Sequence, residues 1–130
     1  MMNNIKFRGI AMSGHWYYGL LTKKKIRSSG ILQFAIVNGN FTLGETIPIT
    51  EDTICRFTGA TDVDNKEIYE GDVLNHEDHY YLVKWIDDFC CFMMVDQFGI
   101  KYPINYKSLV NLKIVGDFYN DPKLLRLFQP

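Results

Sequence analysis

Hydrophobic and polar residues alternate with a period of two along most of this chain, as they do in half-buried β-strands. Short turn signals separate the alternating segments. Asn38-Gly39-Asn40 is the strongest of them, because Asn-Gly favours the positive φ angles of a tight hairpin. Polar turns are also predicted at 62–66, 87–88 and 96–99. The predicted strands cover residues 15–21, 31–37, 41–43, 53–58, 67–69, 73–74, 80–86, 90–95, 100–104 and 109–115.

A single helix is predicted, at the C-terminal end over about 121–128. Asp121 suits the N-cap position, Pro122 suits the first helical position, and Leu124 and Phe128 belong to a one-sided apolar stripe. Many short strands followed by one short helix favour a mainly-β fold, as a small barrel or sandwich, over a sheet that alternates with helices.

The composition indicates a globular protein, with 47% hydrophobic and 15% aromatic residues. No apolar run approaches the roughly 20 residues that span a bilayer. The first residues lack the order of a signal peptide, so we expect a cytoplasmic protein without a membrane partner. The chain has an odd number of cysteines, Cys55, Cys90 and Cys91, and the last two are adjacent. This pattern favours free thiols in a reducing compartment over disulfides. We expect Cys55 and one of the other two to fill the core.

Charge is unevenly distributed along the chain, although the net charge is −1. Residues 1–50 carry six basic side chains and one acidic, residues 51–100 three basic and twelve acidic, and residues 101–130 five basic and two acidic. Either loops of opposite charge solvate different faces, or a basic N-terminal face meets an acidic face within the chain or on another copy. There is no basic excess of the kind that nucleic-acid binding usually requires.

The stretch 57–74, which reads F-T-G-A-T-D-V-D-N-K-E-I-Y-E-G-D-V-L, resembles the signature T-G-L-K-D-x-N-G-K-E-I-Y-E-G-D-I-V of the YopX-like phage and prophage proteins. Segments 5–9, 16–19, 81–85 and 115–125 resemble further motifs of that family. The signature positions are Thr58, Gly59, Asp62, Asn65, Lys66, Ile68, Tyr69, Gly71 and Asp72, with Trp85 in the middle motif.

This resemblance implies a mainly-β fold built on an SH3-like barrel, with additional N-terminal strands and a short C-terminal helix. It implies no activity and no cofactor. We expect residues 1–130 to form a single YopX-like domain with an N-terminal β subregion over 1–50, a barrel core over about 53–116 and the helix over about 121–128. Where the family often has Asn-Gly at the turn, this chain has Asp64-Asn65, and Asn tolerates the left-handed conformation that the turn needs.

Two further expectations concern packing. Asp72 should accept backbone hydrogen bonds at a corner that begins with Gly71. The side chains expected to be buried are Phe57, Ile68, Val73, Val83, Trp85, Phe92 and Val115.

No residue pattern in the sequence identifies a catalytic, cofactor or metal site, and none is predicted. The segment 62–67 resembles a calcium loop in its acids, but Glu67 stands where such a loop needs Gly, so a side-chain-stabilised turn is the better interpretation. The run 76–79 places four potential ligands next to one another, and adjacent side chains diverge, which favours a solvated loop over a zinc site.

One basic cluster, made of Lys23, Lys24, Lys25 and Arg27, is a candidate nucleic-acid contact. A hairpin tip that carries these charges can track a phosphate backbone, and the aromatic residues of 16–18 can stack on bases. The alternative is that the aromatic side chains fill a core and the lysines only keep the loop soluble.

We therefore expect a non-catalytic phage or prophage accessory protein that binds a protein partner or assembles with itself. A nucleic-acid-binding small β-barrel is the alternative, and an enzyme of unknown reaction is the third candidate.

Overall fold

A computed structural model describes residues 5–26, 28–38 and 46–128, which form eleven β-strands and one short α-helix. The predicted mainly-β fold class is confirmed. The chain divides into two compact units, Met1–Phe57 and Thr58–Pro130. The predicted single domain over 1–130, with its subdivision, stays a prediction.

The strands of the first unit are β1 (Phe7–Ile10), β2 (Trp16–Lys25), β3 (Leu32–Asn38), β4 (Thr46–Pro48) and β5 (Cys55–Thr61), which runs on into the second unit. They form an antiparallel sheet in the order β4-β3-β2-β1, and the beginning of β5 pairs with β1 through Phe7 and Arg56. Buried apolar residues of this unit are Ala35, Ile36, Ile49 and Cys55. The predicted turn 38–40 and strand 41–43 lie, apart from the backbone of Asn38, outside the described residues.

The further elements of the second unit are β6 (Glu67–Tyr69), β7 (Asp72–His76), β8 (His79–Ile86), β9 (Cys91–Asp96), β10 (Lys101–Pro103), β11 (Lys113–Asp117) and α1 (Pro122–Leu125), after which Arg126–Phe128 forms a 3-10 turn. Five of the strands form an antiparallel sheet in the order β10-β9-β8-β7-β11, and β6 is the neighbour of the end of β5. In the five-stranded sheet β10 and β11 are the edges, so closure into an SH3-like barrel stays a prediction.

One apolar cluster forms the core of the second unit. Every second residue of a strand faces this core, so β6, β7, β8 and β9 each contribute inward side chains. The cluster consists of Ile68, Leu74, Val83, Met94, Leu109 and Leu112.

The burial predictions are confirmed for Ile68, Val73 and Val83, and wrong for Val115, which is 42% exposed. Val115 lies in a β-bulge: Ile114 pairs with Leu74 and the next register pair skips to Gly116, so the bulged residue has no partner opposite it.

Phe57, Trp85 and Phe92 are half-buried rather than fully buried. Trp85 and Phe92 face each other across β8 and β9, with their rings edge to face at 5.1 Å. This pair lies next to the turn Asp87–Phe89 that closes the hairpin, where each ring covers the other and both keep some contact with solvent.

The cysteine prediction is correct for Cys55, which is buried, and wrong for the adjacent pair, because both Cys90 and Cys91 are exposed. Cys90 ends a 3-10 turn, Asp87–Phe89, in the left-handed conformation with φ of 51°. The turn interrupts the strand alternation that the prediction assumed, and neither thiol reaches the core.

The C-terminal helix begins with Pro122 as predicted, but Asp121 makes no side-chain cap. The Asp121 carboxylate instead accepts a hydrogen bond from the Asp117 amide, at 3.0 Å. A Cβ atom at Gly116 would lie 2.6 Å from both Asp121 Oδ2 and Leu124 Cδ1, so glycine lets the helix pack directly against β11.

Candidate interaction surface on the hairpin of β2 and β3

The basic cluster of the sequence lies at the end of a regular hairpin. Lys23, Lys24 and Lys25 are the last residues of β2 and pair with Phe34, Gln33 and Leu32 of β3. The chain turns through hydrogen bonds from the Ile26 amide to the Ile31 carbonyl, at 2.8 Å, and from the Gly30 amide to the Ile26 carbonyl, at 2.7 Å. Lys23, Lys24 and Lys25 are therefore strand residues, and Arg27 lies outside the described residues.

Strand alternation separates the three lysines. Lys23 and Lys25 point to one face of the hairpin and Lys24 points to the other. On the first face, the Lys23 ammonium lies 4.9 Å from the centre of the Phe34 ring, within the range of a cation–π interaction. Alternation thus divides the lysines between two faces along the strand, although Lys24 and Lys25 both line one cavity.

A cavity of about 470 Å³ lies along the hairpin of β2 and β3 and reaches Pro48 of β4. Pro48 pairs with Ala35, which is fully buried. We call this cavity the hairpin cleft. Its lining consists of Lys24, Lys25, Ile26, Gln33, Phe34, Ala35 and Pro48.

The hairpin of β2 and β3 also carries exposed apolar side chains. Ile31 is 63% exposed and Leu32 is 61% exposed, and Ile26, which lines the cleft, is also exposed. Elsewhere on β2, the apolar side chains of Leu20 and Tyr18 are also exposed. Grouped apolar exposure rimmed by charged residues is typical of interaction surfaces.

The family signature, in contrast, builds turns. Asp62 is 6% exposed, and its Oδ1 accepts hydrogen bonds from the amides of Asp64 and Lys66, both at 2.9 Å. Its Oδ2 accepts one from the Ile114 amide at 3.0 Å. Asn65 has φ of 64°, so the predicted left-handed residue of the turn is confirmed. A carboxylate that accepts hydrogen bonds from three amides stabilises the fold and is not positioned to bind a ligand.

The corner at Gly71-Asp72 is confirmed. Asp72 is 1% exposed and accepts a hydrogen bond from the Tyr69 amide at 2.7 Å, while Gly71 takes φ of 90°. The Gly71 amide donates to the Val83 carbonyl at 2.9 Å, and the Phe118 amide donates to the Gly71 carbonyl at 2.8 Å. The signature therefore joins three segments of the second unit.

The remaining signature residues also contribute hydrogen bonds, turn conformations or buried side chains to the fold. The Thr58 hydroxyl donates to the Ile68 carbonyl at 2.7 Å, Gly59 has φ of 88°, and Trp85 Nε1 donates to Asp87 at 2.9 Å. Ile68 and Tyr69 are buried and Lys66 is exposed. Gly59 and Asp62 line a separate cavity of about 490 Å³, and the carboxylate of Asp62 is occupied there by backbone amides.

The turn predicted at 96–99 is confirmed, and it repeats the hydrogen bonding of the Asp62 turn. Asp96 Oδ1 accepts from the amides of Phe98, at 2.8 Å, and Ile100, at 2.9 Å, and Gly99 takes the positive φ that Asn65 takes in the first turn. The spacing Asp-x-x-(Asn or Gly)-x between two alternating segments is the signal that identifies both turns.

Asp96 also accepts a hydrogen bond from the Tyr102 hydroxyl, at 3.2 Å. Desolvation raises the pKa of Asp96, but the hydrogen bonds from Ile100, Phe98, Tyr102 and Gly99 outweigh it and hold that pKa below its ordinary value of 3.8. Desolvation and the neighbouring Asp96 charge raise the pKa of Tyr102 above 10.0.

The run 76–79 is a tight hairpin between β7 and β8, in which His76 and His79 pair across the strands. Over the described residues, no group of three or more His, Cys, Asp and Glu side chains is arranged to hold a metal ion. Within the same part of the chain, no helix has the length and apolar character needed to cross a membrane.

Comparison with known proteins gives a family and a fold. The model of the family described as YopX protein matches residues 6–126. The crystal structure of protein EF1440 from Enterococcus faecalis is similar, with 18% sequence identity and a TM-score of 0.57 over 95% of this chain and 99% of that chain. A comparison with curated protein sequences finds no match.

Proposed function

The chain belongs to the YopX protein family, and we propose that it is a non-catalytic, protein-binding accessory module of a phage or prophage. It acts in the cytoplasm of the bacterial host, and its residues from about 53 to 116 form an SH3-like barrel. Its binding surface is the hairpin cleft, and the ligand is a protein segment that carries an aromatic side chain flanked by acidic residues.

The observation that carries this proposal is the lining of the hairpin cleft. Its volume of about 470 Å³ lies within the roughly 300–1,000 Å³ of ordinary ligand pockets. The lining combines apolar surface from Ile26, Phe34 and Pro48 with two exposed lysines. An aromatic ring can enter the apolar part, while neighbouring carboxylates pair with the ammonium groups of Lys24 and Lys25.

Two observations favour a protein ligand over a nucleic acid. The chain has a net charge of −1, without the basic excess that nucleic-acid binding usually requires. The guanidinium carbon of Arg8 lies 4.1 Å from the Trp16 ring centre, so this aromatic face already has a stacking partner.

The enzyme candidate has little support among the described residues. Desolvation of Asp96 is outweighed by the hydrogen bonds of its turn and from Tyr102, which lower its pKa, whereas desolvation and the neighbouring Asp96 raise the pKa of Tyr102. A structural cause of this kind accounts for the shifts without a reaction.

A peptide titration tests the proposal. The probe is a fluorescein-labelled Asp-Asp-Phe-Asp-Asp peptide, followed by fluorescence anisotropy. We expect binding by the wild-type chain, and about tenfold weaker binding when Lys24→Glu and Lys25→Glu are combined. The control is Lys84→Glu, an exposed charge on β8 of the other unit, which should leave the affinity unchanged.

Equal affinity for the wild type and the Lys24→Glu/Lys25→Glu variant would contradict the proposal. A gel-shift titration with an oligonucleotide tests the alternative in parallel. Tight, salt-sensitive binding that is lost when Lys23, Lys24 and Lys25 are all changed to Glu would favour nucleic-acid binding instead.

A further inference from the structure

An acidic and aromatic turn of the second unit has the chemistry that the hairpin cleft requires. This turn, Asp87–Phe89, joins β8 to β9. Asp87 and Asp88 are exposed, and Phe89 is exposed over 60% of its surface. Two adjacent carboxylates followed by an exposed phenyl ring match two adjacent lysines beside an apolar cavity.

The turn is already ordered. The Cys90 amide donates to the Asp87 carbonyl at 3.1 Å, and Trp85 Nε1 donates to Asp87 Oδ1 at 2.9 Å. These bonds fix the backbone that presents Asp88 and Phe89. A pre-formed ligand loses less conformational entropy on binding than a flexible one.

The other acidic turns of the second unit lack one of these properties. The carboxylates of Asp62, Asp96 and Asp117 are occupied by backbone amides within their own turns. Glu77 and Asp78 have no aromatic residue beside them in the turn of 76–79. The turn Asp87–Phe89 combines adjacent exposed acids with an exposed aromatic ring.

The two units also carry net charges of opposite sign. Residues 1–57 carry seven basic and three acidic side chains, a net charge of +4, whereas residues 58–130 carry seven basic and twelve acidic ones, a net charge of −5. Long-range attraction therefore favours an encounter between the first unit of one copy and the second unit of another.

We infer that the hairpin cleft receives the turn Asp87–Phe89 of a second copy of this chain. Phe89 enters the apolar part of the cleft, and Asp88 pairs with Lys24 or Lys25. The contact joins two different surfaces, so it is heterologous and builds either a closed ring or an open chain of copies. This inference rests on the proposed function of the cleft and names its occupant.

A single aromatic anchor with charge pairs buries less surface than a stable dimer does, so self-association should be weak. Sedimentation velocity over a concentration series should show a mass that rises with protein concentration. We expect the association constant to fall by about tenfold or more between low and high salt, because exposed charge pairs are screened. A monomer at every concentration and at both salt levels would overturn the inference.

Two variants locate the contact. Variant A combines Lys24→Glu with Lys25→Glu and blocks the cleft. Variant B combines Asp88→Lys with Phe89→Ala and blocks the turn, while it leaves the hydrogen bond between Trp85 and Asp87 in place. Each variant alone should be monomeric, and a mixture should stop at a one-to-one dimer, because the intact turn of A fits the intact cleft of B.

A restored dimer of defined size excludes misfolding of either variant, and circular dichroism with urea unfolding of each variant confirms that a monomeric mixture consists of folded chains. Self-association of A alone at the wild-type level would show that another surface joins the copies, and a monomeric mixture beside an associating wild type would do the same. The proposed function is tested separately: if the Asp-Asp-Phe-Asp-Asp peptide binds the cleft but the chain stays monomeric, the cleft binds a different protein and only the self-association fails.

Discussion

Asp62 and Ile114 are 52 positions apart in the chain, and the Ile114 amide donates to the Asp62 carboxylate at 3.0 Å. This bond ties the turn between β5 and β6 to the edge strand β11. The same carboxylate closes its own turn through the amides of Asp64 and Lys66. Asp62 therefore couples local turn geometry to the long-range order of the second unit.

Replacement of Asp62 should be costly. In Asp62→Ala, three amides lose their acceptor in a nearly buried place, and we expect a loss of about 2–4 kcal/mol in the free energy of unfolding. Urea unfolding followed by circular dichroism measures it. The matched control is Asp64→Ala in the same turn, because Asp64 is exposed and contacts Lys113 only as a surface ion pair at 3.7 Å. Similar losses for both variants would show that the bonds of Asp62 contribute little.

Asp72→Ala should lower the free energy of unfolding by about 1–2 kcal/mol, because the Tyr69 amide loses its buried acceptor at the corner. Lys24→Ala is the comparison: this side chain is exposed, and its removal should be nearly neutral for folding. Wild-type stability of the Asp72→Ala variant in the same urea titration would contradict the corner assigned to Gly71-Asp72.

The lowered pKa of Asp96 predicts that the free energy of unfolding depends on pH in the acid range. The pKa of Asp96 is lowered in the folded chain, so the folded state binds its proton less readily than the unfolded state does. Its stabilisation is fully present above the ordinary value of 3.8 and is lost as the pH falls through the lower folded pKa.

This dependence is measured by comparing the unfolding of wild type and Asp96→Asn across the acid range. The stability difference should be largest near neutral pH and should shrink below the ordinary aspartate pKa. Tyr102→Phe removes the hydroxyl that donates to Asp96 and should show a smaller version of the same trend. A difference that stays constant with pH would exclude the stabilised carboxylate.

Gly116→Ala should loosen the C-terminal helix. The added methyl group would collide with Asp121 and Leu124, and overpacking of this kind costs about 1–3 kcal/mol. Thermal unfolding measures the loss, and Lys123→Ala on the exposed side of the helix serves as the control. A Gly116→Ala variant as stable as wild type would show that the helix does not pack closely on β11.

Local chemistry explains which features the sequence could predict. Alternation identified most of the strands, Asp-x-Asp-Asn identified the turn at Asn65, and Gly71-Asp72 identified the corner, because each signal lies within a few neighbouring residues. Val115 was misplaced because its exposure comes from a bulge in the pairing of β11 with β7. Cys90 was misplaced because a 3-10 turn, and not a simple strand end, precedes β9.

The hairpin cleft could not be derived from the sequence. Its position depends on the register that sets Ala35 opposite Pro48, and neither residue carries a chemical signature of binding. The lysines were visible as a basic cluster, but their division between two faces follows from the strand that carries them to the end of β2. Only the fold reveals that Lys24 and Lys25 line an apolar cavity.

An NMR titration of the isotope-labelled chain with the unlabelled Asp-Asp-Phe-Asp-Asp peptide tests the binding role of the hairpin cleft most directly. We predict that the amide signals of Lys24, Gln33 and Ala35 shift progressively as peptide is added, whereas those of the Asp62 and Asp96 turns stay in place. Absence of shifts, or shifts confined to residues 58–130, would contradict the assignment of the hairpin cleft as the binding surface.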